Sequence, residues 1–200
     1  MPRSEPRLAY QFKREPLMPE GADWLSNACR TAEERRVVWT LLDTGLRVSE
    51  VCGLTRENIL WQQGCFRIKG KGGPYGKRTK ARVVPVSRRV VTILDAYFAL
   101  HNRWPLGKRA VQKLEKDVAN RAGISKDVTL HVLRHTWATL SLQKVVSLAG
   151  LQRALGHDRL ETTAIYVNLT DGHVIAEFHE KTGFGAKRRE PARAGGGADR

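Results

Sequence analysis

The stretch LHVLRHTWATLSL, residues 130–142, reads as one helix. At about 100° per residue, Leu133, Trp137 and Leu140 fall on one side, and His131, Arg134 and His135 lie well away from them. The pattern predicts a core side and a polar side. His131 and Arg134 stand three residues apart, close enough to offer an imidazole and a guanidinium to one anion, although an HxxR pair taken alone reads first as a solvated helix face. His131 and His135 also have the i, i+4 spacing of two zinc ligands, with His157 conceivable as a third. The context argues against metal. Val132 occupies the position where a metalloprotease carries its glutamate base, and Arg134 would repel a cation.

Downstream, LQRALGH (residues 151–157) ends a helix at Gly156, a residue suited to a left-handed C-terminal position, and puts His157 in the following turn. The next helix, with Asp158 as its N-cap, carries ETTAIYVNL and sets Tyr166 nine residues beyond His157. Tyr166 alone would read as a packed aromatic. Upstream, TGLRVSE (residues 44–50) places Arg47 just after a glycine break with Glu50 one helical turn on, the spacing of an ordinary i, i+3 ion pair.

Around these pieces the pattern is mainly helical. Thr31 and Glu34 match a capping box for a helix through Leu42, preceded by a short helix from Glu20 or Asp23 to Cys29, and LRVSEVCGL (46–54) resumes as helix. The stripes Val90, Leu94, Tyr97, Phe98 and Val111, Leu114, Val118, Ala122 have helical period, and further helices are expected over 146–155, 159–168 and 171–181. Residues 59–61, 65–69 and 82–86 read as three short strands, with Gln63-Gly64 and the glycines at 70, 72, 73 and 76 at the turns. The fold expected is mainly α with a small three-stranded antiparallel sheet (α+β).

The chain has 200 residues, 41% hydrophobic, enough apolar content to build one domain with a real core. No apolar run approaches the ~18 to 20 residues needed to span a bilayer, and the basic N-terminus lacks the apolar stretch of a secretory signal, so a cytoplasmic, nucleoid-associated protein is expected. Cys29, Cys52 and Cys65 form an odd set without CxxC spacing, which fits reduced thiols rather than a disulfide framework or zinc site. The net charge of +15 points to a polyanionic partner, nucleic acid first, because the summed field draws phosphate to the surface and releases its counterions. Residues 1–16, with three prolines, read as a leader or linker stub; 17–182 form the working domain; 183–200 are a basic, Gly-rich tail expected to be disordered.

Taken in order, Arg47 in TGLRVSE, His131 and Arg134 in HVLRH, His157 in LGH and Tyr166 in TTAIY resemble the catalytic set of the tyrosine recombinases, the phage integrases and Xer-type resolvases among them. The resemblance covers about residues 17–181 and implies that fold, with 17–182 as the catalytic domain. The family also uses a lysine on the hairpin between its second and third strands. Lys71, in the GKG turn, matches best, while Lys69, Lys77 and Lys80 are rivals on a segment longer than the usual hairpin. Lys69, Lys77, Arg78 and Lys80 are expected to meet DNA phosphates.

The resemblance implies a chemistry that these residue types suit. Two arginines clamp the non-bridging oxygens of the scissile phosphate and stabilise the charge that grows in the transition state. His157 adds a donor, Tyr166 attacks to give a 3′-phosphotyrosine, Lys71 protonates the departing 5′ oxygen, and His131 assists proton movement to and from Tyr166. Glu50 orients the basic cluster from behind. No metal or cofactor is implied. The implied partners are double-stranded DNA and other copies of the chain assembled on it, through a helix at 171–181, with no membrane. The family normally carries an N-terminal helical DNA-clamping domain as well, which sixteen residues cannot form, so a catalytic-domain fragment or a minimal member is expected. Two other readings stand beside this one: a type IB topoisomerase, which shares the chemistry but relaxes supercoils, and a DNA-binding module without catalysis.

Overall fold

The computed structural model describes residues 15–72, 78–144, 146–157 and 161–164. The chain runs α1 (Pro19–Asn27), α2 (Ala32–Thr44), α3 (Val48–Val51), β1 (Ile59–Leu60), β2 (Cys65–Gly72), β3 (Arg78–Pro85), α4 (Arg88–Phe98), α5 (Lys108–Arg121), α6 (Leu130–Gln143), α7 (Leu148–Leu155) and α8 (Glu161–Ala164). The strands form one antiparallel sheet in the order β1-β2-β3. The architecture is the mainly helical one with a small sheet that the sequence predicts.

Helix α2 runs through the centre. Its start is set by the expected capping box: Thr31 Oγ1 accepts from the Glu34 backbone N–H at 3.1 Å, and Glu34 Oε2 accepts from the Thr31 N–H at 3.2 Å. Its Val37, Val38 and Leu41 are buried against Leu25 of α1, Val90 and Leu94 of α4, Val118 of α5 and Leu133 of α6, in a core that also takes Phe66 and Val84 of the sheet. A second, smaller cluster of Trp137, Ala138, Leu151, Ala154 and Leu155 joins α6 to α7.

Helix α2 ends at Gly45, where φ is +58° and the backbone N–H donates to the Leu41 carbonyl. A Cβ there would lie 2.3 Å from Trp137 Cε3, so both the left-handed backbone and the approach of α6 require glycine. The same end of α2 is anchored by Asp43, whose carboxylate accepts two hydrogen bonds of 2.6 Å from Arg89 and one from Ser87.

Four expectations need correction. The hairpin is longer than read: β2 continues through Gly70 and Gly72, which pair with Lys80 and Arg78, so these glycines are strand residues. A ladder needs only backbone N–H and C=O groups, which glycine supplies like any other residue. At the other end β1 stops at Leu60, and Trp61 enters a 3₁₀ turn closed by Gly64 at φ +58°. Helix α3 occupies only four residues of the nine expected, bounded by extended Arg47 and by Gly53. Finally, the polar side of α6 is not a solvated face: His131 is exposed, but His135 is half-buried and Arg134 is buried at 7% exposure. Periodicity assigns an angle around the helix, and α7 packs over that angle.

All three cysteines are free thiols, Cys29 and Cys65 buried and Cys52 half-buried; burial pushes the Cys29 thiol up to about 11. No described helix is long and apolar enough to cross a membrane. Residues 1–14 of the expected leader, the tail, and the helix over 171–181 lie outside the described residues.

Candidate active site

Arg134 projects from α6 to the meeting point of two helix C-termini. Its Nη1 donates to the Gly45 carbonyl at 2.5 Å, at the end of α2, and its Nη2 donates to the Leu155 carbonyl at 2.7 Å, at the end of α7. These carbonyls lack intrahelical partners and carry the negative ends of their helix dipoles, which is where a buried guanidinium is best accommodated.

The same Nη2 lies 3.4 Å from His157 Nε2. Gly156 ends α7 in the predicted left-handed conformation, φ +67°, and so turns His157 back over this cluster. On its other side His157 Nδ1 is 3.0 Å from Thr163 Oγ1. Burial, and after it the charges of Arg134, Arg47 and Arg82, hold the His157 imidazole down at about 4, so it is neutral at pH 7. His135 is likewise held at about 4 by burial and by His131 and Arg134.

Arg47 stands at the N-terminus of α3 with its side chain 43% exposed. Glu50 reaches back to it: Oε2 accepts from the Arg47 backbone N–H at 2.8 Å, and Oε1 accepts from Nη1 at 3.2 Å. The expected i, i+3 pair is therefore present, but it is one half of a larger unit. Arg82 of β3 donates to both Glu50 oxygens, at 2.7 and 2.8 Å, and its Nε donates to the Ala154 carbonyl at 2.7 Å. Burial alone would raise the Glu50 carboxyl; the hydrogen bonds from Arg82 and the Arg47 backbone outweigh it and hold the group below the usual carboxylate range. Gly156 is constrained from this side too, since a Cβ on it would meet Arg82 Cδ at 2.9 Å.

Arg82 is the residue that reading the sequence for motifs passes over. The adjacent apolar Val83 and Val84 leave the facing of the strand open in the sequence; it is the structure, with Val84 fully buried and Val83 54% exposed, that puts Arg82 on the inward face of β3, an unusual place for a charge without a buried partner.

The structure thus brings Arg47, Glu50, Arg134 and His157 together. His131 is exposed at the start of α6, beside His135. On the hairpin, Lys69 is exposed and lines an open cleft with Arg47, Glu50, Asn58 and Ile68. The backbones of Lys71, Arg78 and Lys80 pair with Thr79, Gly72 and Gly70. Lys77, Asp158 and Tyr166 lie outside the described residues. Among the described residues no three His, Cys, Asp or Glu side chains are grouped to hold a metal ion.

Comparison with known proteins adds independent findings. Residues 17–173 match the model of the phage integrase family. The chain is 30% identical over 183 residues to the tyrosine recombinase XerD of Halalkalibacterium halodurans, covering 82% of this chain and 58% of that protein. It is 32% identical over 155 residues to the tyrosine recombinase XerA of Pyrococcus furiosus, covering 70% and 52%. It therefore spans little more than half the length of these relatives. Among solved structures, the XerA recombinase superposes with a TM-score of 0.69 at 27% identity, over 84% of this chain and 65% of that one. XerH bound to its difH substrate in a post-cleavage complex shares the fold, with a TM-score of 0.66 at 21% identity over 86% and 54%.

Proposed function

This chain belongs to the phage integrase family of tyrosine recombinases, and from that we propose that it cuts and rejoins double-stranded DNA as the catalytic domain of a site-specific recombinase, through a covalent 3′-phosphotyrosine. The observation that most supports this reading is that Arg47, Arg82 and Arg134, from three separated stretches of chain, meet at one place: Arg47 and Arg82 share Glu50, Arg82 lies beside Gly156, and Arg134 reaches His157. Such a cluster is poised for an anion, and a phosphodiester in the act of substitution carries more negative charge than in its ground state.

In this reading Arg47 and Arg134 hold the non-bridging oxygens of the scissile phosphate. Arg134 is fixed beforehand by two carbonyls, so little reorganisation is needed as charge builds. His157 donates a hydrogen bond to the same group. Tyr166 attacks phosphorus, Lys71 protonates the leaving 5′ oxygen, His131 assists the proton transfer from the tyrosine, and the phosphotyrosine conserves the bond energy needed for rejoining. Glu50 orients Arg47. Lys69, Lys77, Arg78 and Lys80 engage flanking phosphates. Residues 17–182 form this catalytic domain, and copies associate on DNA through the 171–181 segment.

The deciding experiment is covalent trapping on a nicked suicide substrate bearing a cognate site. The wild-type chain is expected to form a detergent-resistant protein–DNA adduct, in the presence of EDTA as in its absence, and Tyr166→Phe is expected to bind the DNA without forming one. An adduct that persists in Tyr166→Phe would move the nucleophile elsewhere.

A further inference from the structure

We propose that Thr163 sets the tautomer of His157, accepting the ring proton's hydrogen bond while the phosphate position is empty and donating one to the ring once a phosphate is bound. The proposal rests on the recombinase reading of the site and names a positioning residue for it.

His157 lies between two groups of unequal hydrogen-bonding ability. The Arg134 nitrogen 3.4 Å from Nε2 can only donate. A neutral imidazole facing it must therefore present the lone pair at Nε2 and carry its hydrogen on Nδ1. On the Nδ1 side, at 3.0 Å, is the Thr163 hydroxyl, which can take either role. In the unliganded site Nδ1–H donates to Thr163 Oγ1. The ring stays neutral because it is buried among the guanidiniums of Arg134 on α6, Arg47 beside α3 and Arg82 on β3, with the neutral His135 ring beside them.

Binding a phosphate reverses the demand. An anionic oxygen beside Nε2 needs a donor there, so the ring must lose its hydrogen from Nδ1 and acquire one on Nε2, by ordinary exchange with solvent and with no change in net charge. Nδ1 then becomes an acceptor. Thr163 can follow by rotating its O–H through one torsion, with no backbone movement, and donate to Nδ1. Its side chain is fully buried, so solvent is poorly placed to substitute for it. A serine retains this capacity; a valine of the same shape does not.

Two measurements test the assignment. In ¹⁵N-resolved imidazole spectra at neutral pH, His157 should be the Nδ1–H tautomer in the free protein and become the Nε2–H tautomer on adding orthovanadate. An Nε2–H tautomer already present in the free protein overturns the proposal. On the suicide substrate, Thr163→Val should slow adduct formation by about tenfold to a hundredfold at unchanged DNA affinity, the range set by leaving one buried polar group unsatisfied, and Thr163→Ser should restore it. An unimpaired Thr163→Val, or equal loss in Val and Ser, overturns it as well. If His157 shows the expected tautomers but even the wild-type chain forms no adduct, the recombinase reading fails and the assignment of Thr163 stands.

Discussion

Arg82 and Glu50 form a two-pronged ion pair, with contacts of 2.7 and 2.8 Å and both side chains only 7% exposed, that fastens the β2–β3 hairpin to α3, the helix that follows Arg47. Breaking such a pair from one side leaves the other charge buried, at a cost of about 3–5 kcal/mol. We therefore predict that Arg82→Ala lowers the unfolding free energy by an amount of that order, read as a lower urea midpoint, and also slows DNA cleavage, because Glu50 loses the partner that aligns it with Arg47. Arg82→Lys should recover only part of either loss, since an ammonium cannot match both carboxylate oxygens. An unchanged midpoint in Arg82→Ala would show that the pair contributes nothing net.

The two arginines proposed to clamp the phosphate should separate cleanly. Arg47 is 43% exposed and its ion pair is of the kind that contributes about 0–1 kcal/mol, so Arg47→Ala should unfold at nearly the wild-type temperature. Arg134 is buried and satisfies two helix ends, so Arg134→Ala should be clearly destabilised. Both should lose cleavage by about 100- to 1,000-fold, the cost of removing one preorganised oxyanion donor. Parallel melting curves and single-turnover trapping check this; a stable, folded Arg134→Ala would contradict its double role.

Protonation should weaken the fold on the acid side of neutrality. The His157 and His135 imidazoles titrate at about 4 in the folded state, below the ordinary histidine value of 6.5. Between those values the unfolded chain binds more protons than the folded one, so stability rises with pH across this window and is lost as pH falls from about 6.5 toward 4. Glu50, whose folded carboxyl is depressed, adds stability present above its unfolded value and lost only at still lower pH. Glu115, whose carboxyl is pushed up to about 8 by burial, works in the opposite sense between about 4.5 and 8. The downward slope of the unfolding midpoints should therefore appear from pH 6 to 5, where both histidines protonate in the unfolded chain, and the double variant His135→Gln/His157→Gln should remove or reverse it. A slope unaffected by the double variant would assign it to other groups.

Gly45→Ala should be among the more damaging single-methyl additions. Left-handed backbone at a non-glycine residue costs roughly 1–2 kcal/mol, and here the new Cβ would also lie 2.3 Å from Trp137 Cε3. The expected signature is a drop in stability larger than the backbone term alone, with a changed near-ultraviolet signal from Trp137 and impaired cleavage, because the Gly45 carbonyl holds Arg134. A variant with wild-type stability would mean that α6 yields easily at this point.

The parts of this site that were legible in the sequence are those written in short-range order. The Thr31/Glu34 capping box, the Arg47/Glu50 spacing and the left-handed stop at Gly156 each depend on residues within one or two turns. What was not legible depends on partners far along the chain. Arg82 meets Glu50 across 32 positions and Arg134 meets Gly45 across 89, and no local period encodes either contact. The extended hairpin was missed for a related reason: its glycines resemble turn residues in composition, while the ladder that retains Gly70 and Gly72 is a property of two strands together.

The small cluster that ties α7 to α6 is separate from the main core, and this divides the site by mechanical rank. Arg47 stands between Leu46 and Val51, both buried in the main core, whereas His157 follows a helix held by Leu151, Ala154 and Leu155. Amide hydrogen exchange should accordingly show α7 opening at a lower free energy than α2, as a sub-global event. A bound phosphate that touches Arg47, Arg134 and His157 together would then act as a third staple between the two units, so that amide protection in α7 rises on ligand binding far more than protection in α2.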